Sequence, residues 1–229
     1  PPLFSSAASD VYKRQLSTTV LCAISCLSFA GGDEFMAQPT GFKRHAYAEV
    51  MGGYADTGWK TITGTQLTST LTLDYTKNDN GGLVWGGDLG YQMTSWFAIE
   101  LGGFKLPTTD VSVVSTDPTF TSPGDIKGSI YYLAGKLSQP IKYNMTLFTK
   151  AGLNYQDTNT TDNLSSDSDG INSNTFFGPF FGVGLSYTLK DNLYAKVEYD
   201  RASGQANHKD DEYAPNPNIF VAGLGYTFG

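Results

Sequence analysis

Alternation of apolar and polar residues is the feature that most constrains what this chain can fold into. In the segment 96–105, Phe97, Ile99 and Leu101 fall on one face of an extended chain, and Glu100 falls on the other. Successive side chains of a β-strand point to opposite faces of a sheet, so this pattern is typical of a strand with one apolar face. After residue 30, no window shows the spacing of apolar residues that an amphipathic helix requires. The sequence therefore predicts an all-β fold.

The same alternation recurs in further segments, most of them about ten residues long. The eight candidate strands are 45–54, 83–93, 96–105, 129–138, 146–155, 175–188, 193–201 and 219–228. A tilted strand that crosses a membrane needs roughly 9–11 residues, whereas strands of soluble proteins are commonest at roughly 5–6 residues. The length of these segments favours strands that cross a membrane.

Short and long connections alternate strictly between the candidate strands. The short ones are 94–95, 139–145 and 189–192, and the long ones, rich in Thr, Ser, Asn, Asp, Gly and Pro, are 55–82, 106–128, 156–174 and 202–218. Short periplasmic turns and long external loops are the organisation of outer-membrane barrels. We therefore predict a closed, antiparallel, eight-stranded up-and-down transmembrane β-barrel with both chain ends on the side of the short turns.

The last candidate strand carries the strongest local likeness to a known family. Residues 221–228 read VAGLGYTF, with Leu224, Tyr226 and Phe228 at alternate positions. Over residues 42–229 the chain resembles the small eight-stranded outer-membrane β-barrel proteins of Gram-negative bacteria, of the OmpA and OmpX type. The resemblance implies a monomer in the cell outer membrane, in contact with outer-membrane lipid and lipopolysaccharide. It also implies that Leu224, Tyr226 and Phe228 form a C-terminal signal for the outer-membrane assembly machinery.

The two faces of the candidate strands differ in chemistry. One is apolar, and the other collects the charged residues Glu49, Asp88, Glu100, Lys136, Lys150, Lys196, Glu198 and Asp200. The interior of an eight-stranded barrel is about wide enough for side chains to fill it. We therefore expect a lumen charge network whose members pair with one another or with bound water. Pro179 lies within the sixth candidate strand and lacks a backbone donor, so we expect a bulge or a position at the outer rim there.

The N-terminal part of the chain divides into three segments. Residues 1–15 resemble a translated adaptor sequence and are expected to be a non-native leader. Residues 16–30 are uncharged, mostly apolar and too short to span a bilayer, and they end in small residues as a signal peptide does. Residues 31–41 are expected to form a periplasmic segment before a barrel domain at 42–229. Both cysteines, at 22 and 26, lie in the predicted signal peptide, so the exported chain is expected to be free of cysteine.

Charge and composition argue against several kinds of chemistry. The formal net charge of −7 leaves no basic face for nucleic acid. His45 and His208 are the only histidines, and neither has a serine or carboxylate at a recognisable catalytic spacing. The run 165–170 is similar to part of a calcium loop, but Phe176 stands where the bidentate Glu would be needed. The sequence therefore assigns no catalytic, metal-binding or cofactor-binding residue and predicts that the protein is not an enzyme.

These observations predict a non-catalytic integral outer-membrane protein with a structural or adhesive role exerted through its external loops. Three alternatives stay open. A lipid-modifying outer-membrane enzyme would carry a His and Ser pair near the outer rim, for which no clear counterpart is found. A small porin-like channel would conduct little, since roughly sixteen strands are needed to leave an aqueous channel. A soluble lipocalin-like carrier would need an apolar lumen and a polar exterior.

Overall fold

The structure is a computed structural model that describes residues 42–57, 66–68, 71–77, 81–116, 119–162, 171–204 and 216–229. The expected leader, signal peptide and periplasmic segment lie outside these residues, as does His208. The run 165–170 also lies outside them. In the part of the chain that is described, no helix is long and apolar enough to cross a membrane.

All regular structure in the described residues is β-strand. The strands are β1 (His45–Asp56), β2 (Gln66–Thr68), β3 (Leu71–Lys77), β4 (Gly81–Gln92), β5 (Phe97–Lys105), β6 (Thr109–Thr116), β7 (Thr119–Pro140), β8 (Met145–Asp162), β9 (Ile171–Lys190), β10 (Leu193–Ala202) and β11 (Asn218–Phe228). Strands β2, β3 and β6 form an extension, and the other eight form a ring.

The ring is closed by antiparallel pairing at every step. Its order is β1, β4, β5, β7, β8, β9, β10 and β11, and β11 pairs back to β1 with Ala46 opposite Phe228. A closed ring gives every strand two partners, which is what a sheet needs in lipid, where no water satisfies its backbone. The predicted eight-stranded barrel is confirmed.

Three tight connections define one end of the barrel, which we call the turn end. They lie at residues 93–96, 141–144 and 191–192, close to the predicted short turns. Tyr143 and Asn144 adopt φ angles of 64° and 59°, which allow the chain between β7 and β8 to reverse sharply. Strands β1 and β11 bring both ends of the barrel sequence to this same end, as expected. We call the opposite end the loop end.

The long connections 55–82 and 106–128 are predicted from sequence as polar loops, and the structure places strands within parts of both. They contain β2, β3, β6 and the first part of β7, which pair as β2–β3, β3–β6 and β6–β7. Strands β7, β8 and β9 are 22, 18 and 20 residues long, and each extends beyond its predicted segment, which is 129–138, 146–155 and 175–188 respectively. We call β2, β3, β6 and the loop-end parts of β7, β8 and β9 (119–128, 156–162 and 171–175) the raised wall. These segments continue the sheet beyond the roughly 9–11 residues that a strand needs to cross a membrane.

The outer surface of the ring is apolar. Leu83 is 85% exposed and Val50 is 70% exposed, and Leu133, Val197 and Leu224 are also exposed. An exposed apolar surface of this extent marks a membrane or protein contact. This arrangement is opposite to that of the lipocalin alternative, which requires a polar exterior.

Pro179 takes one of its two expected positions, the rim. It pairs with Leu153 without any register shift, so there is no bulge between β8 and β9 at this point. The β9–β10 ladder ends at the pair Phe180 and Ala202, and the Pro179 carbonyl accepts a hydrogen bond from Ser203 N at 3.0 Å. Pro179, which has no backbone N–H, therefore lies one residue beyond the last β9 residue that pairs with β10.

Candidate functional site: the barrel lumen

The structure brings the eight predicted lumen charges together inside the ring. Glu49 lies on β1, Asp88 on β4, Glu100 on β5, Lys136 on β7, Lys150 on β8, and Lys196, Glu198 and Asp200 on β10. All eight are buried. Because each occupies a lumen-facing position of its own strand, closing the ring makes them converge. We call this set the lumen charge network.

Lys150 lies at the centre of the network. Its side chain is 0% exposed, and its Nζ lies 2.6 Å from Glu100 Oε2, 2.7 Å from Glu198 Oε1 and 3.1 Å from Asp88 Oδ2. A buried ammonium group is tolerated only when it is paired and hydrogen-bonded. Three carboxylates from three different strands provide that pairing.

Lys196 shares two of these carboxylates with Lys150. Its Nζ lies 2.6 Å from Glu198 Oε2 and 3.1 Å from Asp88 Oδ2, and it also contacts Glu49 Oε2. Asp88 and Glu198 are thus shared between Lys196 and Lys150. The result is one connected network instead of separate ion pairs.

Lys136 completes the network on the side of the turn end. Its Nζ lies 2.8 Å from Glu100 Oε1 and 3.4 Å from Glu49 Oε1. It also lies 4.5 Å from the ring centroid of Phe148 and 4.9 Å from that of Tyr47. Lysine over an aromatic face gains a further electrostatic attraction in a desolvated site.

Three tyrosine hydroxyl groups, which the sequence analysis did not assign to the site, also belong to the network. Tyr47 donates to Glu100 Oε1 at 2.6 Å, Tyr194 donates to Glu49 Oε1 at 2.5 Å, and Tyr132 donates to Asp88 Oδ1. Hydrogen bonds to ionised acceptors are stronger than those between neutral groups. The tyrosines therefore donate to carboxylate oxygens that can accept further hydrogen bonds beyond those from the lysines.

Glycines opposite these aromatic residues provide the space for them. The lumen pairs are Tyr47 with Gly90, Tyr132 with Gly102, Phe148 with Gly184, Tyr194 with Gly225 and Phe104 with Gly86. A Cβ atom at each of these glycines would overlap the ring of its partner. The sequence analysis could have found these tyrosines by aligning neighbouring strands, because each lumen-facing aromatic residue then lies opposite a glycine.

Asp200 is the one member of the network without a positive partner. It is 0% exposed, and among the described residues no salt bridge involves it. Its carboxyl group lies beside that of Glu198 over Gly182, where an added Cβ would be 3.2 Å from Glu198 Oε1 and closer still to Asp200 Oδ1. Five carboxyl groups therefore face three lysines in the described lumen.

Apolar side chains fill the lumen on the side of the loop end. The buried cluster there contains Met51, Ala55, Val84, Phe104, Leu106, Ile130, Tyr132, Ala134, Phe180, Ala202, Ile219 and Val221. The rings of Tyr132 and Phe180 stack with centroids 4.0 Å apart. Next to this cluster, Asn154 Nδ2 donates to the carbonyl groups of Gly178, Pro179 and Ser203. Side chains thus pack the barrel interior above the charge network as well as within it.

The lumen offers little scope for binding a metal ion or for histidine-based catalysis among the described residues. Ligand oxygens of Glu49, Asp88 and Glu100 lie within 4.8 Å of one another, but each of these residues already contacts lysine ammonium groups. The lysines thus supply the positive charge that a cation would bring. His45, the one histidine among the described residues, donates from Nδ1 to the carbonyl of Lys43 at 3.0 Å, and no serine or carboxylate contact of its ring is seen there.

The predicted C-terminal assembly signal lies on the outer face of β11. Leu224, Tyr226 and Phe228 are exposed towards the lipid, with Phe228 53% exposed. The rings of Tyr226 and Phe228 meet edge to face with centroids 5.2 Å apart. These positions fix the surface that the three residues present, and their role in assembly stays a prediction.

A closed antiparallel ring with an apolar exterior and an ionic lumen defines a transmembrane β-barrel. The model of the outer membrane protein beta-barrel domain matches residues 21–228, and the chain belongs to this family. It is accordingly a protein of the cell outer membrane, and its apolar exterior contacts outer-membrane lipid.

Individual proteins are similar to this chain at low sequence identity. An uncharacterized protein of Coxiella burnetii is 27% identical in a 164-residue alignment, and the match covers 61% of this chain and 66% of the relative's length. The structure of Neisserial surface protein A is similar with a TM-score of 0.50 and 10% identity, covering 81% of this chain and 97% of that one. The N-terminal barrel domain of Pseudomonas aeruginosa OprF gives a TM-score of 0.49 and 17% identity, covering 80% and 97%.

Proposed function

We propose that the protein is a non-catalytic outer-membrane barrel with a structural or adhesive role, exerted through its loop end. The observation that carries this proposal is the raised wall. A strand needs roughly 9–11 residues to cross the membrane at a tilt, whereas β7, β8 and β9 have 22, 18 and 20 residues. About half of each of these strands therefore extends beyond the apolar belt.

The raised wall is an ordered sheet. Strand β8 stays paired with β7 up to Asp162 and with β9 up to Thr161. Beyond the barrel, β6 pairs with the first part of β7, and β3 pairs with β6. Outer-membrane barrels place short turns in the periplasm and long loops outside, so we assign the raised wall to the cell exterior. A paired sheet at the cell surface offers a fixed backbone to a partner.

The filled lumen supports the non-catalytic part of the proposal. Its charges are paired with one another, and packed apolar side chains separate them from the loop end. Of the alternatives, the lipid-modifying enzyme finds no support in the described residues, since His45 begins β1 at the turn end, away from the outer rim. The porin-like channel is opposed by the side chains that fill the eight-stranded ring.

We extend the proposal to the partners of the barrel. The belt contacts lipid and, in the outer leaflet, lipopolysaccharide. The outer-membrane assembly machinery inserts the chain by reading the C-terminal signal. A ring with no free strand edge needs no second copy to satisfy its backbone, which favours a monomer.

Surface proteolysis of intact cells tests the assigned orientation. We expect cleavage between residues 55 and 82 or between residues 156 and 174, with the turns at 141–144 and 191–192 protected. Cleavage confined to those turns would invert the topology and overturn the proposal.

Shortening the raised wall tests the role itself. Replacing residues 111–124 by a two-residue turn removes β6 and the start of β7 but leaves the β5–β7 pairing at 129–137 intact. Cells that display each form are compared for adherence to fibronectin, laminin and collagen surfaces and for resistance to detergent. The matched control shortens the connection 205–215. The comparison includes cells that lack the protein. The proposal is wrong if these cells, cells with the shortened form and cells with the wild-type protein show the same adherence and the same detergent resistance.

A further inference from the structure

Glu198 and Asp200 bring two buried carboxyl groups into contact inside the barrel. The two residues lie on the lumen face of β10 and are 4% and 0% exposed. Their side chains are within hydrogen-bonding distance of each other. A carboxylate has no hydrogen to donate, so two carboxyl groups form a hydrogen bond only if one of them carries a proton. Two ionised groups at this separation, away from water, would repel each other.

The two carboxyl groups differ in their other partners. Glu198 Oε1 lies 2.7 Å from Lys150 Nζ, and Glu198 Oε2 lies 2.6 Å from Lys196 Nζ. Both oxygens of Glu198 therefore face an ammonium group, which favours a carboxylate. Among the described residues, no salt bridge involves Asp200. Of the two, Asp200 is better placed to hold the proton, and Glu198 is better placed to accept the hydrogen bond.

The neighbouring strands also favour a neutral carboxyl group at Asp200. Its cross-strand partners are Gly182 on β9 and Ile219 on β11, and neither has a charged or hydrogen-bonding side chain. The apolar cluster on the side of the loop end includes Ile219 and Phe180, which are both fully buried. An ionised carboxylate at the boundary of an apolar region loses its hydration without replacement.

The ionisable groups around this pair belong to five strands. Apart from the pair itself, they are Lys196 on β10, Lys150 on β8, Asp88 on β4, Glu100 on β5 and Tyr132 on β7, the last three of which contact Lys150. Five carboxyl groups share three lysines in the described lumen. One proton on Asp200 reduces this excess of negative charge without breaking any ion pair.

We propose that Asp200 and Glu198 form a proton-binding site, in which the Asp200 carboxylic acid donates its hydrogen to the Glu198 carboxylate in the folded barrel at neutral pH. The proton comes from water when the chain folds, because an aspartate in the unfolded chain is ionised above about pH 4. Folding therefore takes up one proton, and the stability of the barrel falls as pH rises. The inference is independent of the role proposed for the loop end.

A chain of contacts connects this site with the turn end. Lys196 Nζ contacts both Glu198 and Glu49, and Tyr194 donates to Glu49 Oε1 at 2.5 Å. Tyr194 is half-buried, whereas the packed apolar cluster lies between the site and the loop end. The site therefore exchanges its proton with the solution on the side of the turn end.

Urea titration in phospholipid vesicles, repeated between about pH 5 and about pH 7, tests the proton uptake. The folding constant of the wild-type protein, divided by that of Asp200→Asn, should fall about tenfold for each pH unit, because only the wild-type chain binds this proton on folding. The matched control is Asp191→Asn, an exposed acid in the turn between β9 and β10, for which the same ratio should not change with pH. A ratio for Asp200→Asn that is also independent of pH would overturn the proposal.

Infrared spectroscopy of the folded protein, in a detergent without carbonyl groups, locates the proton. A protonated carboxyl group absorbs at a higher C=O frequency than a carboxylate, and we expect such an absorption in the wild-type protein at neutral pH. Asp200→Asn should lose it, and Asp191→Asn should keep it. The heat-dependent shift on cold electrophoresis verifies that each variant is folded.

Two infrared results would contradict the site. Its absence from the wild-type spectrum would overturn the proposal whether or not Asp200→Asn folds. Its persistence in folded Asp200→Asn would place the proton on another carboxyl group and would overturn the assignment to Asp200.

Discussion

Lys150 Nζ lies 3.1 Å from Asp88 Oδ2, although β8 and β4 are separated by β5 and β7 around the ring. The two residues are 62 positions apart in sequence. Their contact therefore forms only when the ring closes and both side chains point into one lumen. The charge network joins opposite parts of the wall across the barrel interior, which is a structural task.

Removing the central lysine should destabilise the barrel strongly. Lys150→Met leaves Glu100, Glu198 and Asp88 facing one another with less positive charge, and breaking a buried pair in this way costs about 3–5 kcal/mol. The free energy of unfolding is measured by urea titration in phospholipid vesicles, followed by tryptophan fluorescence. Lys142→Met, at an exposed position in the turn between β7 and β8, is the control and should change stability by less than about 0.5 kcal/mol. Equal stability of the two variants would contradict a structural role for Lys150.

Asp200→Asn should behave in the opposite way. No salt bridge involves the Asp200 carboxyl group among the described residues, so replacing it with a neutral amide of similar shape breaks no ion pair. We expect the free energy of unfolding to stay the same or rise by about 1–2 kcal/mol. Glu100→Gln is the comparison, because Glu100 contacts Lys136 and Lys150, and it should lose about 3 kcal/mol. A loss in Asp200→Asn as large as that in Glu100→Gln would show that Asp200 has a partner after all.

The pairing of Tyr47 with Gly90 predicts a large effect of one methyl group. A Cβ at Gly90 would overlap the Tyr47 ring and disturb its hydrogen bond to Glu100. Gly90→Ala should therefore cost about 1–3 kcal/mol in the same urea titration. In Gly52→Ala the added Cβ would meet only Val84 O at 3.6 Å, so this control should be neutral or slightly stabilising. The prediction fails if the two alanine variants are equally stable.

Phe228→Ser should impair assembly more than folded-state stability. Phe228 is 53% exposed, so its loss costs less than the roughly 1.5–3 kcal/mol of a fully buried aromatic residue. We expect less protein in the outer membrane, while the molecules that fold keep a compact, heat-shifted band on cold electrophoresis. Phe220→Ser, at a similarly exposed position near the other end of β11, is the control and should leave the inserted amount unchanged. Wild-type amounts of Phe228→Ser in the membrane would show that this terminal aromatic residue is not read.

The strands of the ring could be predicted from sequence because one face of each strand meets lipid and the other face meets the lumen. Val197 is exposed to lipid, while Lys196 and Glu198 on either side of it are buried in the lumen. That contrast produces the period of two. The sequence of β6, TDVSVVST, places Val113 and Val114 next to each other and keeps no period of two, so its pairing with β7 could not be recognised from local pattern.

The members of the lumen charge network could be predicted from sequence, but the contacts between them could not. Alternation places Lys150 and Asp88 on lumen faces, but their contact depends on how β4 and β8 are staggered around the closed ring. No local pattern records that stagger. For the same reason, Asp200 could not be singled out from the other carboxyl groups, since its lack of a lysine partner follows from distances across the lumen.

The central claim is that side chains fill the barrel interior, so that the protein acts on its exterior. Planar-bilayer recording of the purified protein measures this most directly. A lumen closed by the Lys150 contacts and by the packed rings of Tyr132 and Phe180 predicts bilayers without large, steady currents. Large, steady open-channel currents from the folded monomer would contradict the account and place the protein among the porins.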